Sequence, residues 1–485
     1  MKPINKSLFL KSIECPVFAW HLYRNLVKKD SSLSDDFLIL EAKNIHNMAK
    51  SLFPEGVQVS GILEDAINQT QQLISDKNIK TIFAPVFEYK GFIARADIMH
   101  RVNDGWQIIE VKSGNKWKNK YISDIAYSAL IISKHIKCIS KARMMLLSKD
   151  FRLGKPFDEL FTTIDCSFDV FTKADDFNNL LEHSKEVLHA DNPPQGKLKM
   201  PCKKCSLFKE CTGKDIEYHI FDLPRLSKLV LDKLCESKIF QIKDIPDDIE
   251  LTEMQKIVKN CVIQDKIFIR PNLKIELDKI KFPVYYLDFE SVMTIYPLYS
   301  NIPPHTQILT QYSVHKCDKP ANIVNHFEYI ADHTKDCRKI IAEKLVEVLG
   351  KEGSIITYSS FEQQIITKLI KICPHLTKEL QSICDRIVDL EAILRINYYD
   401  KNFHGRTSIK KVLPVMISDM NYSELEIAEG GVALSAFAYM AMGLYEQDKI
   451  KQTKKNLLEY CKLDTLALVK MHKFLVDVAE NNIKD

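Results

Sequence analysis

A multidomain α/β protein is what the sequence predicts, and three observations predict it. At 485 residues the chain exceeds what one hydrophobic core usually serves, so two or three domains are expected. Strand-textured runs alternate with stretches of helical periodicity in both halves, and only 14 glycines argue against a large all-β design. A cysteine cluster near residue 205 closes the first texture, and a new one begins after it. Apolar content of 46% and charged content of 27% are those of a soluble globular protein, and a net charge of +4 is too mild to announce nucleic acid by itself. Met1–Phe9 lacks the apolar core of a signal peptide. Thirteen cysteines without such a leader point to a reducing, cytoplasmic setting. The most apolar run, Gly430–Tyr445, falls short of the ~20 residues a spanning helix needs, so it reads as a buried helix and no membrane partner is expected.

The cluster is Cys202-x2-Cys205-x5-Cys211. Three thiolates make a short chelating loop, and a four-coordinate site needs one more ligand. The best candidate is Cys15, in Glu14-Cys15-Pro16. If Cys15 closes the site, residues 1–214 form one clasped domain. Zinc, an iron–sulfur cluster and ordinary buried thiols all fit the spacing alone.

Within that domain, Val17–Leu26 carries a broad apolar helical face. A second helix is expected from Phe37 to about Leu52, capped by Ser34-Asp35-Asp36, with Ala42 and His46 on one side. Glu64–Ile74 reads as another helix. Thr81–Tyr89 and Gly91–Met99 read as neighbouring strands, and Asn103-Asp104-Gly105 is a hairpin signal leading into Trp106–Lys112. Asp97, Glu110 and Lys112 then approach one another, Glu110 and Lys112 on one face. Two carboxylates suit a hard divalent cation, Mg²⁺ or Mn²⁺, and an ammonium can stabilise charge developing in phosphoryl transfer. A solvated Glu/Lys surface pair is the plain alternative.

Asp97 followed by Glu110-Val111-Lys112 across a hairpin resembles the PD-(D/E)XK motif of RecB-like nucleases. The resemblance implies a restriction-endonuclease-type α/β core, with His46 as an additional metal ligand beside Asp97 and Glu110, and Lys112 as a catalytic residue. Ser123–Leu130 stands where that family has a Q-x-x-x-Y-type helix, which implies a catalytic role for Tyr127; the tyrosine fits and the glutamine is replaced by Ser123. Cys15, Cys202, Cys205 and Cys211 match the iron–sulfur-clasped branch of the family, which includes CRISPR-associated exonucleases. That match implies a structural 4Fe–4S cluster, with zinc as the alternative.

Residues 215–280 read as two short helical stretches, from Asp222-Leu223-Pro224 and over Leu251–Cys261, around a break at Ile239–Asp248. They suit a helical linker or a small helix-hairpin-helix-like module.

A third region, 281–485, opens after Lys281-Phe282-Pro283. Val284–Glu290 is strand-like and ends in D-x-E, placing Asp288 and Glu290 on one face. Two like charges facing one side of a buried strand are costly unless a cation lies between them. Further strands are expected at Gln311–His315, around Phe327–Tyr329 and at Gly353–Tyr358. Helices are expected at Cys337–Leu349, from Ser359 onward, and over Asn456–Val476, where Tyr460 and Asp464 share a face. D-x-E on a first strand and Y-x3-D on a last helix resemble the DEDD exonucleases, which implies an RNase H-like domain, metal ligation by Asp288, Glu290 and Asp464, water positioning by Tyr460 and 3′-to-5′ polarity. Glu362 stands where that family has an aspartate, which implies that it is a further metal ligand, and Asp389 is an additional or competing acid. The Tyr- and Lys-rich stretch Asn397–Pro414, with Gly430-Gly431, resembles a bacterial family of unknown function that joins the two nuclease types, and this likeness covers nearly the whole chain. The expectation is a Mg²⁺- or Mn²⁺-dependent nuclease acting on nucleic acid, single-stranded DNA first of all. The rival is a nucleic-acid-binding or scaffolding protein with one or both sites inactive.

Overall fold

The computed structural model describes residues 2–27, 32–102, 105–213 and 216–481. It is a mixed α/β protein with mixed sheets in two compact units. The first comprises residues 1–197, 206–212 and 294–306; the second comprises 198–205, 213–293 and 307–485. The expected turn residues Asn103 and Asp104 lie outside the described residues.

The first unit is built on a six-stranded sheet ordered 57–58, 81–83, 98–102, 105–111, 139–147, 161–165. Ile98–Val102 and Gly105–Val111 pair antiparallel, and Gly105–Val111 pairs parallel with Ile139–Leu147 through the helix Lys120–Ser133. Alternation along the central strand splits the core: Trp106 and Ile108 pack with the Lys120–Ser133 helix, while Ile109 and Val111 pack on the opposite face with Ile45 and Ala49. Glu110 therefore faces the same side as Ile108.

Two expected long strands are each broken. Thr81–Tyr89 divides at Ala84-Pro85, where Ala84 has φ +52, into Thr81–Phe83 and Val86–Tyr89 in different sheets. Gly91–Met99 divides likewise into Phe92–Arg95 and Ile98–Val102, which leaves Asp97 in the break. The second helix begins earlier than expected, at Leu33, because Ser32 and Asp35 form a reciprocal capping box.

In the second unit a five-stranded sheet runs 322–330, 307–319, 284–293, 355–357, 387–389. Three antiparallel strands are continued by two that run parallel to Val284–Met293. Tyr285, Leu287 and Phe289 enter an apolar core with the helices Arg338–Leu349 and Phe361–Ile372. The opposite parity, Tyr286, Asp288 and Glu290, faces the 35-residue helix Gln447–Asn481: Tyr286 Oη meets His472 Nδ1 at 2.8 Å and Cys461 Sγ donates to Asp288 Oδ2 at 3.2 Å.

The 215–280 stretch is part of this unit rather than a separate spacer. Phe268–Ile269 pairs with Tyr398–Tyr399, and Asp222 Oδ2 meets His404 Nδ1 at 2.8 Å. Gly405 (φ +67) sits so close that a Cβ would come within 1.7 Å of the Asp222 carbonyl oxygen. Gly430–Ala441 is a largely buried helix, and no helix among the described residues is long and apolar enough to cross a membrane.

Candidate active sites

The first unit gathers His46, Asp97, Glu110 and Lys112. The register Ile98↔Ile109 carries the chain from Asp97 toward Glu110. Asp97 Oδ2 accepts the Val111 N–H at 2.8 Å, leaving Oδ1 3.6 Å from His46 Nδ1, which is too long for a hydrogen bond. Burial and the Glu110 charge raise the Asp97 pKa. Burial also pushes Glu110 upward, but the ammonium groups of Lys6 and Lys112 outweigh it and hold the carboxylate below its ordinary value. Glu110 Oε1 takes Lys6 at 2.8 Å and Lys112 at 2.9 Å, while Oε2 is buried without a partner among the described residues. Burial lowers the His46 pKa, so its imidazole is neutral with a lone pair to offer. Among the described residues, His46, Asp97 and Glu110 do not bring one ligand atom each within 4.8 Å of one another.

Lys112 lies just beyond the strand, its N–H on the Met145 carbonyl at 2.9 Å and its ammonium on Asp124 Oδ2 at 2.7 Å. Burial works against that charge, yet Glu110 and Asp124 overcome it and raise the pKa. Asp124 and Lys6 are site residues that sequence reasoning missed. Asp124 lies one position after Ser123, so its helix turn was legible; Lys6 is 104 residues from Glu110 and carried no local signal.

Tyr127 is not with these groups. It is fully buried, and its hydroxyl sits 3.0 Å from both the Ile4 and the Ile93 carbonyl oxygens, tying the N-terminal strand to the core. Its expected catalytic role is corrected to a structural one, because its ring packs in the apolar core against Phe9 and its hydroxyl is taken up by backbone carbonyls. Tyr127→Phe is expected to destabilise the protein by about 1 kcal/mol, through the loss of the buried hydroxyl's hydrogen bond, while changing cleavage less than about twofold. Denaturant unfolding beside a cleavage assay checks both halves.

The second unit brings Asp288, Glu290 and Asp464 together, with one oxygen from each inside a 4.8 Å group. Burial is the main reason that all three carboxyls are held above their ordinary values; for Asp288 and Glu290 the neighbouring acids add to it. Asp464 is held by Tyr422 Oη, which donates to Oδ1, and by the hydroxyl of Tyr460. Lys410 places its ammonium 5.2 Å from the Tyr460 ring centroid and lowers the pKa of Glu290 and Asp464.

Glu362 stands outside the tight group. It is buried in the first turn of its helix with Oε2 lacking a partner among the described residues, and burial, then Asp389 and Asp464, raise its pKa. Asp389 serves as a helix cap, its Oδ1 accepting the N–H groups of Ala392 and Ser359 at 3.1 Å each. Tyr422, Cys461 and Lys410 were not singled out as site residues, although Lys410 lies in the basic aromatic stretch.

The cysteines divide between the units. Cys15 and Cys211 belong to the first, Cys202 and Cys205 to the second. Cys15 ends one helix and begins the next, between Glu14 and Pro16. Cys202 Sγ accepts the Lys199 N–H at 3.4 Å, and the Cys205 N–H closes a turn onto the Cys202 carbonyl at 3.0 Å.

Comparison with known proteins matches residues 285–408 to a family described as "Domain of unknown function (DUF2779)". That stretch holds Asp288, Glu290, Glu362 and Asp389 and ends before Tyr460 and Asp464. An uncharacterized protein of Mycoplasma pneumoniae is 24% identical over 226 residues, 42% of this chain and 34% of the relative. Its Mycoplasma genitalium counterpart is 24% identical over 224 residues, with the same shares. An uncharacterized Ureaplasma parvum protein is 42% identical over 83 residues, 16% of this chain and 12% of the relative. The chain thus spans about a third of the length of the first two relatives.

Proposed function

We propose that the protein is a two-site, Mg²⁺- or Mn²⁺-dependent nuclease that hydrolyses nucleic-acid phosphodiesters. Single-stranded DNA is the substrate of the RecB-like first site, and the second domain is RNase H-like with a DEDD-type site. The observation that carries this reading is the convergence of Asp288, Glu290 and Asp464 within 4.8 Å from a central strand and the last helix. Like charges so close and so dry are costly to ionise together, and an all-carboxylate donor set matches hard cations. Such ions, when bound, polarise phosphoryl oxygens and lower the pKa of water.

The protein's own groups supply the rest. Tyr422 and Tyr460 fix Asp464, Cys461 fixes Asp288, and Lys410 sets a cation beside the acids where a phosphate would lie. In the first site, Asp124 and Glu110 hold the Lys112 ammonium where it can stabilise developing negative charge. The five-stranded mixed sheet supports the RNase H-like reading. The Asp97–Glu110 hairpin followed by a parallel crossover supports the RecB-like one. Cys15, Cys202, Cys205 and Cys211 are proposed to hold a 4Fe–4S cluster on the strength of their sequence spacing; colourless protein containing zinc and no labile sulfide would replace that cluster by zinc.

End-labelled strands incubated with Mn²⁺ test the nuclease reading in wild type, Asp97→Asn, Asp288→Asn and the double variant. Each single variant should lose one component of cleavage and the double variant all of it. A double variant as fast as wild type rejects the assignment. One observation favours a second reading: Lys6 already neutralises part of Glu110. A binding or scaffolding protein with decayed sites would retain strands and leave them intact at every metal concentration.

A further inference from the structure

A cavity of about 650 Å³ opens within the second unit, inside the range of ligand clefts, about 300–1,000 Å³. None of the residues lining it belongs to the Asp288, Glu290 and Asp464 group. Its walls come from stretches far apart in sequence that the fold ties together. Phe268–Ile269 pairs with Tyr398–Tyr399, and the Arg270 N–H reaches the Asn397 carbonyl at 2.8 Å, which brings Arg270 and Tyr399 to the same cavity. Gly405, pressed onto the Asp222 carbonyl, holds the 405–407 stretch near Arg225. On the helix Leu390–Asn397, Leu390 and Leu394 are buried, while Glu391 and Arg395, four residues apart on one face, line the cavity.

Three arginines and two acids share these walls. Arg270 is matched by Glu253 at 2.6 Å. Arg225 and Arg395 make no ion pair among the described residues, and the Arg395 Nε is buried there without a hydrogen-bond partner. A partly buried guanidinium is costly to leave untied, and the paired oxygens of a phosphate match its fork. Glu391 Oε1 takes the Thr407 hydroxyl at 2.6 Å, and Oε2 accepts no hydrogen bond among the described residues, so it is open to a ligand hydroxyl. Met254, Ile257, Ile396 and Tyr399 supply apolar lining.

We propose that this cavity is a small-molecule site, separate from both groups of acids, and that its ligand is a nucleoside monophosphate. The phosphate lies on Arg225 and Arg395, a ribose hydroxyl donates to Glu391, and the base packs on the apolar lining. Each alternative leaves part of the site unused. Inorganic phosphate ignores the apolar wall and is repelled by Glu391. A sugar phosphate also ignores the apolar wall, and a free nucleoside leaves both guanidinium groups untied. The proposal stands on the second unit alone and does not require either site to cut nucleic acid.

Isothermal titration calorimetry of the full chain in EDTA tests it, with the monophosphates of adenosine, guanosine, cytidine and uridine in turn. Ribose 5-phosphate, inorganic phosphate and the free nucleosides are the comparison ligands. At least one monophosphate should bind, about tenfold or more tightly than all three comparison ligands. Arg395→Gln should weaken that binding about tenfold or more, the scale of one lost charge-assisted pair. Arg225→Gln should do the same, and its exposed position keeps the test decisive if Arg395→Gln fails to fold. The Asp97→Asn/Asp288→Asn variant should bind as wild type does. Four results would overturn the proposal: no monophosphate binding, unchanged affinity in an arginine variant that melts like wild type, a nucleoside bound as tightly as its monophosphate, or binding lost in Asp97→Asn/Asp288→Asn. Displacement of the monophosphate by an equal concentration of oligothymidylate would overturn it too, by making the cavity part of a strand path.

Discussion

Wild-type protein in EDTA is expected to melt at progressively lower temperature as pH rises from 5 to 8, and Mn²⁺ is expected to reverse most of that loss. Asp288, Glu290, Glu362 and Asp464 all have pKa values raised in the fold, mainly by burial. A carboxyl whose folded pKa lies above its unfolded value holds its proton more tightly when folded, so the folded state loses stability as pH climbs from the unfolded pKa through the folded one. The loss is absent below about pH 4, where both states are protonated, and complete above the raised values. A cation that binds only the folded protein adds RT ln(1 + [L]/Kd), about 2.7 kcal/mol at a hundredfold excess over Kd. Asp288→Asn removes one of the crowded charges and one donor together. It should flatten the pH dependence, shrink the Mn²⁺ shift and lower second-site cleavage by about 10³-fold or more, the scale of several kcal/mol of lost charge stabilisation. Calorimetry across pH with and without Mn²⁺ measures the first two effects. If the variant keeps the wild-type pH slope and metal response, Asp288 is not part of a cation site.

The sequence made some of this arrangement legible, for reasons of parity. Residues two apart on a strand share a face, so Asp288 pairs with Glu290, and Glu110 with Lys112, by strand spacing alone, as Tyr460 pairs with Asp464 by helical spacing. Strand breaks were harder. Ala84-Pro85 interrupts an apolar run that otherwise reads as continuous, and the matching break at Asp97 frees that side chain from a regular ladder. Which position of a helix meets a site is set by tertiary packing, so the sequence named Tyr127, whereas in the fold Tyr127 bonds the Ile4 carbonyl and Asp124 bonds Lys112. Pairings between distant stretches carried no periodic signal at all: Lys6 with Glu110, Tyr422 with Asp464, and the Thr294–Thr306 segment, whose Ile295 N–H reaches Glu41 Oε1 at 2.7 Å. Glu41 Oε2 is buried without a partner among the described residues, and burial pushes this carboxyl up to about 7. An aspartate, a hairpin, a glutamate and a lysine sufficed to point at the first site, but not at the groups that hold it.

Lys112→Ala, measured in an Asp288→Asn background so that only the first site is read, should lower kcat by about 10²–10³-fold, the cost of removing one preorganised donor from developing negative charge. Strand affinity should change little, because the Lys112 ammonium is already held by Glu110 and Asp124. Asp124→Asn should give a smaller loss in kcat, about tenfold, since the ammonium keeps its 2.9 Å pairing with Glu110 but loses the partner that fixes its direction. The two substitutions should also combine non-additively: once the ammonium is gone, removing Asp124 has little left to disturb. Single-turnover cleavage of end-labelled single strands, with anisotropy run in parallel, separates kcat from affinity. Additive losses, or a Lys112→Ala protein that cuts as fast as its Asp288→Asn parent, would detach Lys112 from the chemistry and leave it as a buried partner of two acids.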